Sequence, residues 1–187
     1  MDENHGGYFF MKRGCIIFLL SIIISLTAFA FTQNASVQTA SETSRYLRIH
    51  IRADSNEYAA QSVKYAVKEG IVEYLTPLVA QFETKAEAMK GIQARLMEVE
   101  GVANKILAQN GFSYGASASI EQEKFPTRVY EDITLPAGEY SALIIRLGSG
   151  KGDNWWCVVY PPLCFAATNS NVVYKSKIAE IIRAFKG

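Results

Sequence analysis

At 187 residues the chain has the length of one ordinary domain, and 49% apolar with 20% charged residues is the balance of a globular protein rather than a disordered one. A formal net charge of +1 supplies no global pull toward nucleic acid, whose binders carry a basic stripe or an elevated pI.

The N-terminus sets the compartment. Lys12 and Arg13 precede an apolar run from Cys15 to Phe31, broken only by Ser21, Ser25 and Thr27. Ala28-Phe29-Ala30 then supplies the small-x-small pattern that signal peptidases read. Residues 1–30 therefore read as a secretory signal cut after Ala30. At 17 residues the run also reaches the lower edge of what spans a bilayer, which leaves an uncleaved anchor over 15–31 as the alternative. Cys15 sits inside the run and leaves with the signal. Asp2 and Glu3 leave with Lys12 and Arg13, so the exported chain keeps its charge. Two cysteines remain, Cys157 and Cys164, and outside the cytoplasm an even pair reads as a disulfide, here around the Pro161-Pro162 turn.

Residues 31–44, rich in Ser, Thr, Gln and Asn without periodicity, read as a polar linker, and 45–187 as a single extracytoplasmic domain. Tyr46 to Arg52 alternates strictly, with Leu47, Ile49 and Ile51 on one face and Arg48, His50 and Arg52 on the other: a half-buried strand with a basic outer face. Asp54 with Glu57 fits a helix start. A helix follows from about Glu57 to Phe82, its apolar face Val63, Val67, Ile71, Tyr74 and Leu78, with Pro77 expected to end or kink it near Leu75 or Thr76. Thr84-Lys85-Ala86-Glu87 is a capping box that opens a second helix. The seam of that helix is Met89, Ile92, Leu96, Val99, Ala103 and Ile106, and Asn110-Gly111 stops it.

From Phe112 the period becomes two. Tyr114, Ala116, Ala118 and Ile120 oppose Ser117, Ser119 and Glu121 on one strand, and Phe125 to Tyr130 continues extended past Pro126. Ile133 to Leu135 leads into the turn at Pro136-Ala137-Gly138. Tyr140 to Leu147, apolar on both faces, reads as a central strand. Gly148 to Asn154 reads as a flexible turn, and Trp155 to Tyr160 as the strand returning in a hairpin. The last segment is helical again: Val173, Ile178, Ile181, Ile182 and Phe185 share a face behind a cap at Asn169, Ser170 or Asn171. The order strand, helix, helix, several strands, helix predicts an α+β fold. Its features are a mostly antiparallel sheet, two long helices after the first strand and a C-terminal helix.

No reacting set emerges, and no catalytic residue, metal site or cofactor is expected. Gly148-Ser149-Gly150-Lys151-Gly152 lacks the phosphate-loop spacing and leads into a strand, not a helix N-terminus. Two thiols with one distant histidine match no common zinc site. Cys157 or Cys164 with His50 is the one pair available to an extracytoplasmic cysteine hydrolase, and a nucleophile seven residues from a second cysteine would tend to oxidise there. Glu121 and Glu123, two apart on a strand, read as solvated surface. Recognition is what remains. Trp155 and Trp156 point to opposite faces of their strand, so both reach a core only if the sheet is covered on both sides. Trp, Tyr and Arg are also the side chains that most often anchor interfaces.

Three stretches carry a likeness. They are Lys124-Phe125-Pro126-Thr127-Arg128-Val129-Tyr130, Leu135-Pro136-Ala137-Gly138-Glu139-Tyr140, and the aromatic-cysteine-proline string from Gly150 to Phe165, which includes Asp153-Asn154-Trp155-Trp156-Cys157. Together they resemble the signature of the stage II sporulation protein R family of endospore-forming bacteria. Leu47 to Ser55 is similar to that family's opening motif, with Arg52-Ala53-Asp54-Ser55 departing from an Ala-Asn-Ser-Asp type run. The resemblance implies a secreted signal, not an enzyme. It would be exported from the forespore into the space between the septal membranes. There it would activate a membrane-embedded aspartic protease of the mother cell, which removes the pro-sequence of the sigma factor sigma-E. Its partner-binding surface would be Arg128, Tyr130, Lys151, Asn154, Trp155 and Trp156, with the membrane touched only through the N-terminal segment. The alternatives are an extracytoplasmic cysteine hydrolase using Cys157 and His50 and, third, a signal-anchored envelope protein of structural role.

Overall fold

The computed structural model describes residues 20–27, 43–130, 133–164 and 179–185. The chain divides into two compact units, Met1–Ser41 and Glu42–Gly187. In the first, residues 20–27 are helical and exposed. Among the described residues no helix is long and apolar enough to cross a membrane. The expected cleavage site, most of the linker and the cap of the last helix lie outside the described residues.

In the second unit the elements run β1 (Leu47–Arg52), α1 (Tyr58–Val79), α2 (Lys85–Gln93), α3 (Leu96–Gln109), β2 (Ala116–Phe125), β3 (Arg128–Tyr130), β4 (Ile133–Leu135), β5 (Gly138–Leu147) and β6 (Asn154–Tyr160). Residues 179–185 are helical at the end of the chain. The fold is α+β, with a four-stranded sheet in the order β2-β5-β1-β6 and β3-β4 as a separate two-stranded hairpin. β2 runs antiparallel to β5 and β6 antiparallel to β1, while β1 and β5 are parallel. The expected hairpin of Tyr140–Leu147 with Trp155–Tyr160 therefore does not form, because β1 lies between its two strands. β5 is the central strand its sequence announced, buried from Tyr140 through Ile145. A strand covered on both faces reads as a continuous apolar run.

The helices cover one face of the sheet. Leu47, Ile49 and Ile51 of β1, Leu143, Ile145 and Leu147 of β5, and Cys157 and Val159 of β6 form one buried cluster with Val67, Ile71 and Leu75 of α1, Ile92 of α2, and Val99 and Ala103 of α3. Glu87 N donates to Thr84 Oγ1 at 3.2 Å, and Glu87 Oε2 accepts from Glu83 N at 3.0 Å, so the capping box forms one residue offset from the reciprocal pattern. The 84–110 seam is two helices rather than one, broken at Ala94 and Arg95. Arg95 at the N-cap of α3 leaves the helical region, with φ −123° and ψ 20°. Gly111 at φ +79° ends α3 as the Asn-Gly pair requires. α1 runs through Pro77 to Val79, three residues short of the expected Phe82.

Gly148 to Asn154 is tied down rather than flexible. Asp54 does not cap α1: its Oδ1 accepts from Ser149 N at 2.6 Å, and its carbonyl accepts from Ser149 Oγ at 2.7 Å and Lys151 N at 3.3 Å. Gly152 N donates to the Ala53 carbonyl at 2.9 Å, and Asp153 N to Asn56 Oδ1 at 2.6 Å. These bonds lock the turn entering β6 onto the turn leaving β1. Cys157 and Cys164 form the expected disulfide, with Cα atoms 6.3 Å apart.

Candidate functional site

The opposite face of the sheet carries the unusual chemistry. Register and alternation place Arg48, His50 and Arg52 of β1, Tyr140, Ala142, Ile144 and Arg146 of β5, Ser119, Glu121, Glu123 and Phe125 of β2, and Asn154, Trp156 and Val158 of β6 on this face. The sequence led us to expect the β1 residues here to be a wet basic stripe. Instead Arg48 is 0% and His50 1% exposed. A second core covers them, built from Tyr46, Phe125, Leu135, Tyr140, Ala142, Ile144 and Val158, with Tyr130 and Ile133 of the β3-β4 hairpin packed on top. Alternation reports which side chains share a face, and says nothing of what a later hairpin will lay over that face.

Arg48 occupies an aromatic cage. Its guanidinium carbon lies 4.1 Å from the Phe125 ring centroid, 4.8 Å from Tyr140 and 5.7 Å from Tyr130, and Nη2 donates to Tyr130 Oη at 2.8 Å. Nε and Nη1 have no hydrogen-bond partner among the described residues. Burial lowers the Arg48 pKa, opposed by Tyr130 and Tyr140. The positive charge is thus held by ring faces and by the phenols of Tyr130 and Tyr140, with cation–ring contacts worth up to about 2 kcal/mol when desolvated. We expect Arg48→Ala to cost about 3 kcal/mol, because it opens a cavity under three rings and strands the Tyr130 hydroxyl. Arg48→Met, which fills the cage without charge, is expected to cost under about 1 kcal/mol. Urea denaturation of the two variants checks the contrast, and equal losses would show that the charge itself holds the roof.

His50 is stacked on Trp156, ring centroids 3.8 Å apart at 22°, and Phe125 meets Trp156 edge-on at 4.7 Å. Neither imidazole nitrogen makes a hydrogen bond of ordinary geometry to a described residue, although the Asn154 side chain lies near enough to favour the charged form, by more than any one neighbouring arginine opposes it. Burial is the main force pushing the His50 pKa down to about 4, with the Arg52, Arg146 and Arg48 cations acting in the same direction. A histidine depressed in the folded state takes up protons more readily when unfolded. Its contribution is therefore fully present above about pH 6.5 and is lost as the pH falls toward 4. We expect His50→Phe, which keeps the ring stack and removes two unpartnered nitrogens, to match or exceed wild-type stability at pH 7. Its advantage should grow toward pH 4, by on the order of 3 kcal/mol, in denaturation midpoints measured across that range.

Beyond His50 the face opens. Arg52 Nη2 pairs with Glu123 Oε2 at 2.9 Å. Arg146 forks onto Glu121, Nη1 to Oε1 at 3.1 Å and Nη2 to Oε2 at 2.9 Å, and the Ser119 hydroxyl accepts from Arg146 while donating to Glu121. Hydrogen bonds from Arg146 and Ser119 hold the Glu121 carboxyl below its ordinary range. The two glutamates read as solvated surface are therefore ion-paired.

Of the six residues expected to meet a partner, four converge here. Tyr130 roofs Arg48, Trp156 stacks on His50, Asn154 lies beside His50, and the exposed Arg128 guanidinium sits 6.0 Å from the Trp156 ring centroid. Lys151 is exposed on the locked turn. Trp155 is on the other face, packed against the helical core. The strand-pair argument for the two tryptophans holds, and the sheet is covered on both sides. The cysteine hydrolase reading does not survive: Cys157 is buried on the helix face in a disulfide, whereas His50 lies on the opposite face. Sequence reasoning passed over Arg48, Phe125, Tyr140 and Arg146 as site residues and weighed His50 only as the base of a cysteine hydrolase. The available signal was the matching parity of the aromatics on three other segments.

The family model for stage II sporulation protein R matches residues 43–170. The chain belongs to that family. Among curated proteins it is 32% identical to the stage II sporulation protein R of Bacillus subtilis (strain 168) over 154 residues, covering 81% of this chain and 69% of that one. No solved structure matches. The stretches that carried the resemblance meet in space: Leu47 to Ser55 is β1 with its turn, Gly150 to Cys164 is the locked turn with β6, and Lys124 to Tyr130 with Leu135 to Tyr140 builds the roof.

Proposed function

We propose that this protein is an exported signal that activates a membrane-embedded aspartic protease, which in turn processes the precursor of the mother-cell sigma factor sigma-E. It would act in the space between forespore and mother cell, delivered there, or held at the membrane, by the 15–31 segment. The observation that carries this reading is the convergence of Arg128, Tyr130, Asn154 and Trp156 on one partly open face, in a chain of this family. Trp, Tyr and Arg anchor interfaces because each offers a large contact area together with a polar or charged handle. A ligand shifts a protease toward its active state only by binding that state more tightly. A rigid, roofed aromatic surface loses little freedom on binding and so suits that task. Co-expression of the protein with the protease and the sigma precursor, in cells lacking other sporulation proteins, tests the reading. Cleavage is expected only when all three are present. A precursor that stays intact would remove the signalling role.

A further inference from the structure

The Arg52–Glu123 ion pair stands at the open end of the roofed face, beside groups that lack partners. Arg52 Nε and both ring nitrogens of His50 are buried and make no hydrogen bond of ordinary geometry among the described residues, although the Asn154 side chain lies beside His50. Buried polar side chains are normally satisfied, and five nitrogens on this face of β1 are not, Arg48 Nε and Nη1 under the roof among them; the three on His50 and Arg52, toward the open end, describe a site whose complement is missing. Their chemistry specifies that complement. A guanidinium N–H and an imidazole N–H are both donors that a planar carboxylate can accept with its two oxygens. A carboxylate is the anion favoured here, because the group already seated on Arg52 is one, the Glu123 carboxylate at 2.9 Å. Arg128 and Trp156 border the site with a cation and a ring, the surroundings of an acidic residue on an otherwise apolar peptide.

We propose that Glu123 occupies this position as an internal stand-in, and that a carboxylate side chain of the protein partner replaces it on Arg52 and reaches His50. That the partner is the protease rests on the signalling reading; the carboxylate chemistry of the site does not. The exchange has a signature that a structural brace lacks. Arg52→Gln removes the group both carboxylates compete for, whereas Glu123→Gln removes the competitor, so the two substitutions act in opposite directions.

Blocked glutamate, N-acetylglutamate amide, is titrated into the full-length protein while the His50 imidazole nitrogens are followed by NMR, with thermal unfolding used to show that each variant is folded. The expected result is a saturable shift in the wild type. It should be reached at several-fold lower probe concentration in Glu123→Gln and be lost in Arg52→Gln. An imidazole that never responds, or variants that weaken the response together, would overturn the proposal. The same two variants in the co-expression assay should move the dose for sigma-precursor cleavage in opposite directions, at least about tenfold upward for Arg52→Gln. Probe binding with no cleavage by the wild type would leave the site standing and sink the signalling reading. Binding of phosphatidylglycerol vesicles by the wild type, lost in Arg52→Gln and not displaced by the blocked glutamate, would assign the site to a lipid headgroup and overturn the carboxylate.

Discussion

Gly152→Ala is expected to destabilise the protein by at least about 3 kcal/mol and to lower its melting temperature by roughly 10 °C. Gly152 is buried where the turn entering β6 crosses the turn leaving β1, and a Cβ built on it would fall within 2.9 Å of Cα, C and O of Ser55. Those are backbone atoms, so no rotamer change relieves the clash. The two turns must separate, and with them go the bonds from Gly152 N to the Ala53 carbonyl and from Asp153 N to Asn56. The separation also reaches α1, because Lys64 Nζ donates to the Asp153 carbonyl at 3.1 Å. Gly101→Ala is the internal comparison. Gly101 lies within α3 with nothing inside 4 Å of its added Cβ, so alanine there should stabilise by about 0.5 to 1 kcal/mol. Circular dichroism melts of the two variants decide the matter. Equal melting temperatures would mean that the turns are not locked together.

The same turn shows where sequence reading stopped. Gly148 to Gly152 carries every local mark of a flexible connection, and Gly148 at φ +55° and Gly150 at φ +63° do adopt the conformations glycine permits. What holds the turn is Asp54, nearly a hundred residues earlier, and the local signal at Asp54 pointed to a helix cap instead. The helical region from 84 to 110 was legible because its two ends announce themselves within a few residues, by the Thr84–Glu87 box and the Asn110-Gly111 stop. The break at Arg95 was not, since the apolar seam continues across it and the seam was the only evidence. Strand identity was legible from alternation, whereas strand order was not: β1 inserts between β5 and β6 through pairings that no neighbouring residues encode. For the candidate site the consequence was an inversion. Arg48 and His50 looked solvated because they are polar, and they are buried because Phe125, Tyr130 and Tyr140 arrive from segments that alternation within β1 cannot see.

If the protein signals as proposed, Trp156→Ala is expected to cut signalling by at least about tenfold per folded molecule, while Trp155→Ala leaves signalling per folded molecule unchanged and lowers stability. The two residues are neighbours of one chemical type, and the sheet separates what they do. Trp155 packs on the helical core, so truncating it removes contacts to the protein's own interior, at about 2 to 3 kcal/mol. Trp156 is held between His50 and Phe125 on the other face, half-buried, with Arg128 at its border. Rings fixed by packing on one side and open on the other lose little entropy when a partner covers them, which is the condition for an energetic anchor. Losing Trp156 also uncovers His50 and so costs some stability, which is why the comparison is made per folded molecule. Signalling is read as sigma-precursor cleavage in the co-expression assay, at a temperature well below both melting points, with folded protein quantified by its resistance to proteolysis. Equal loss in both variants would show that the partner reads the integrity of the sheet rather than the Trp156 face. Loss in Trp155→Ala alone would move the contact surface to the helix side.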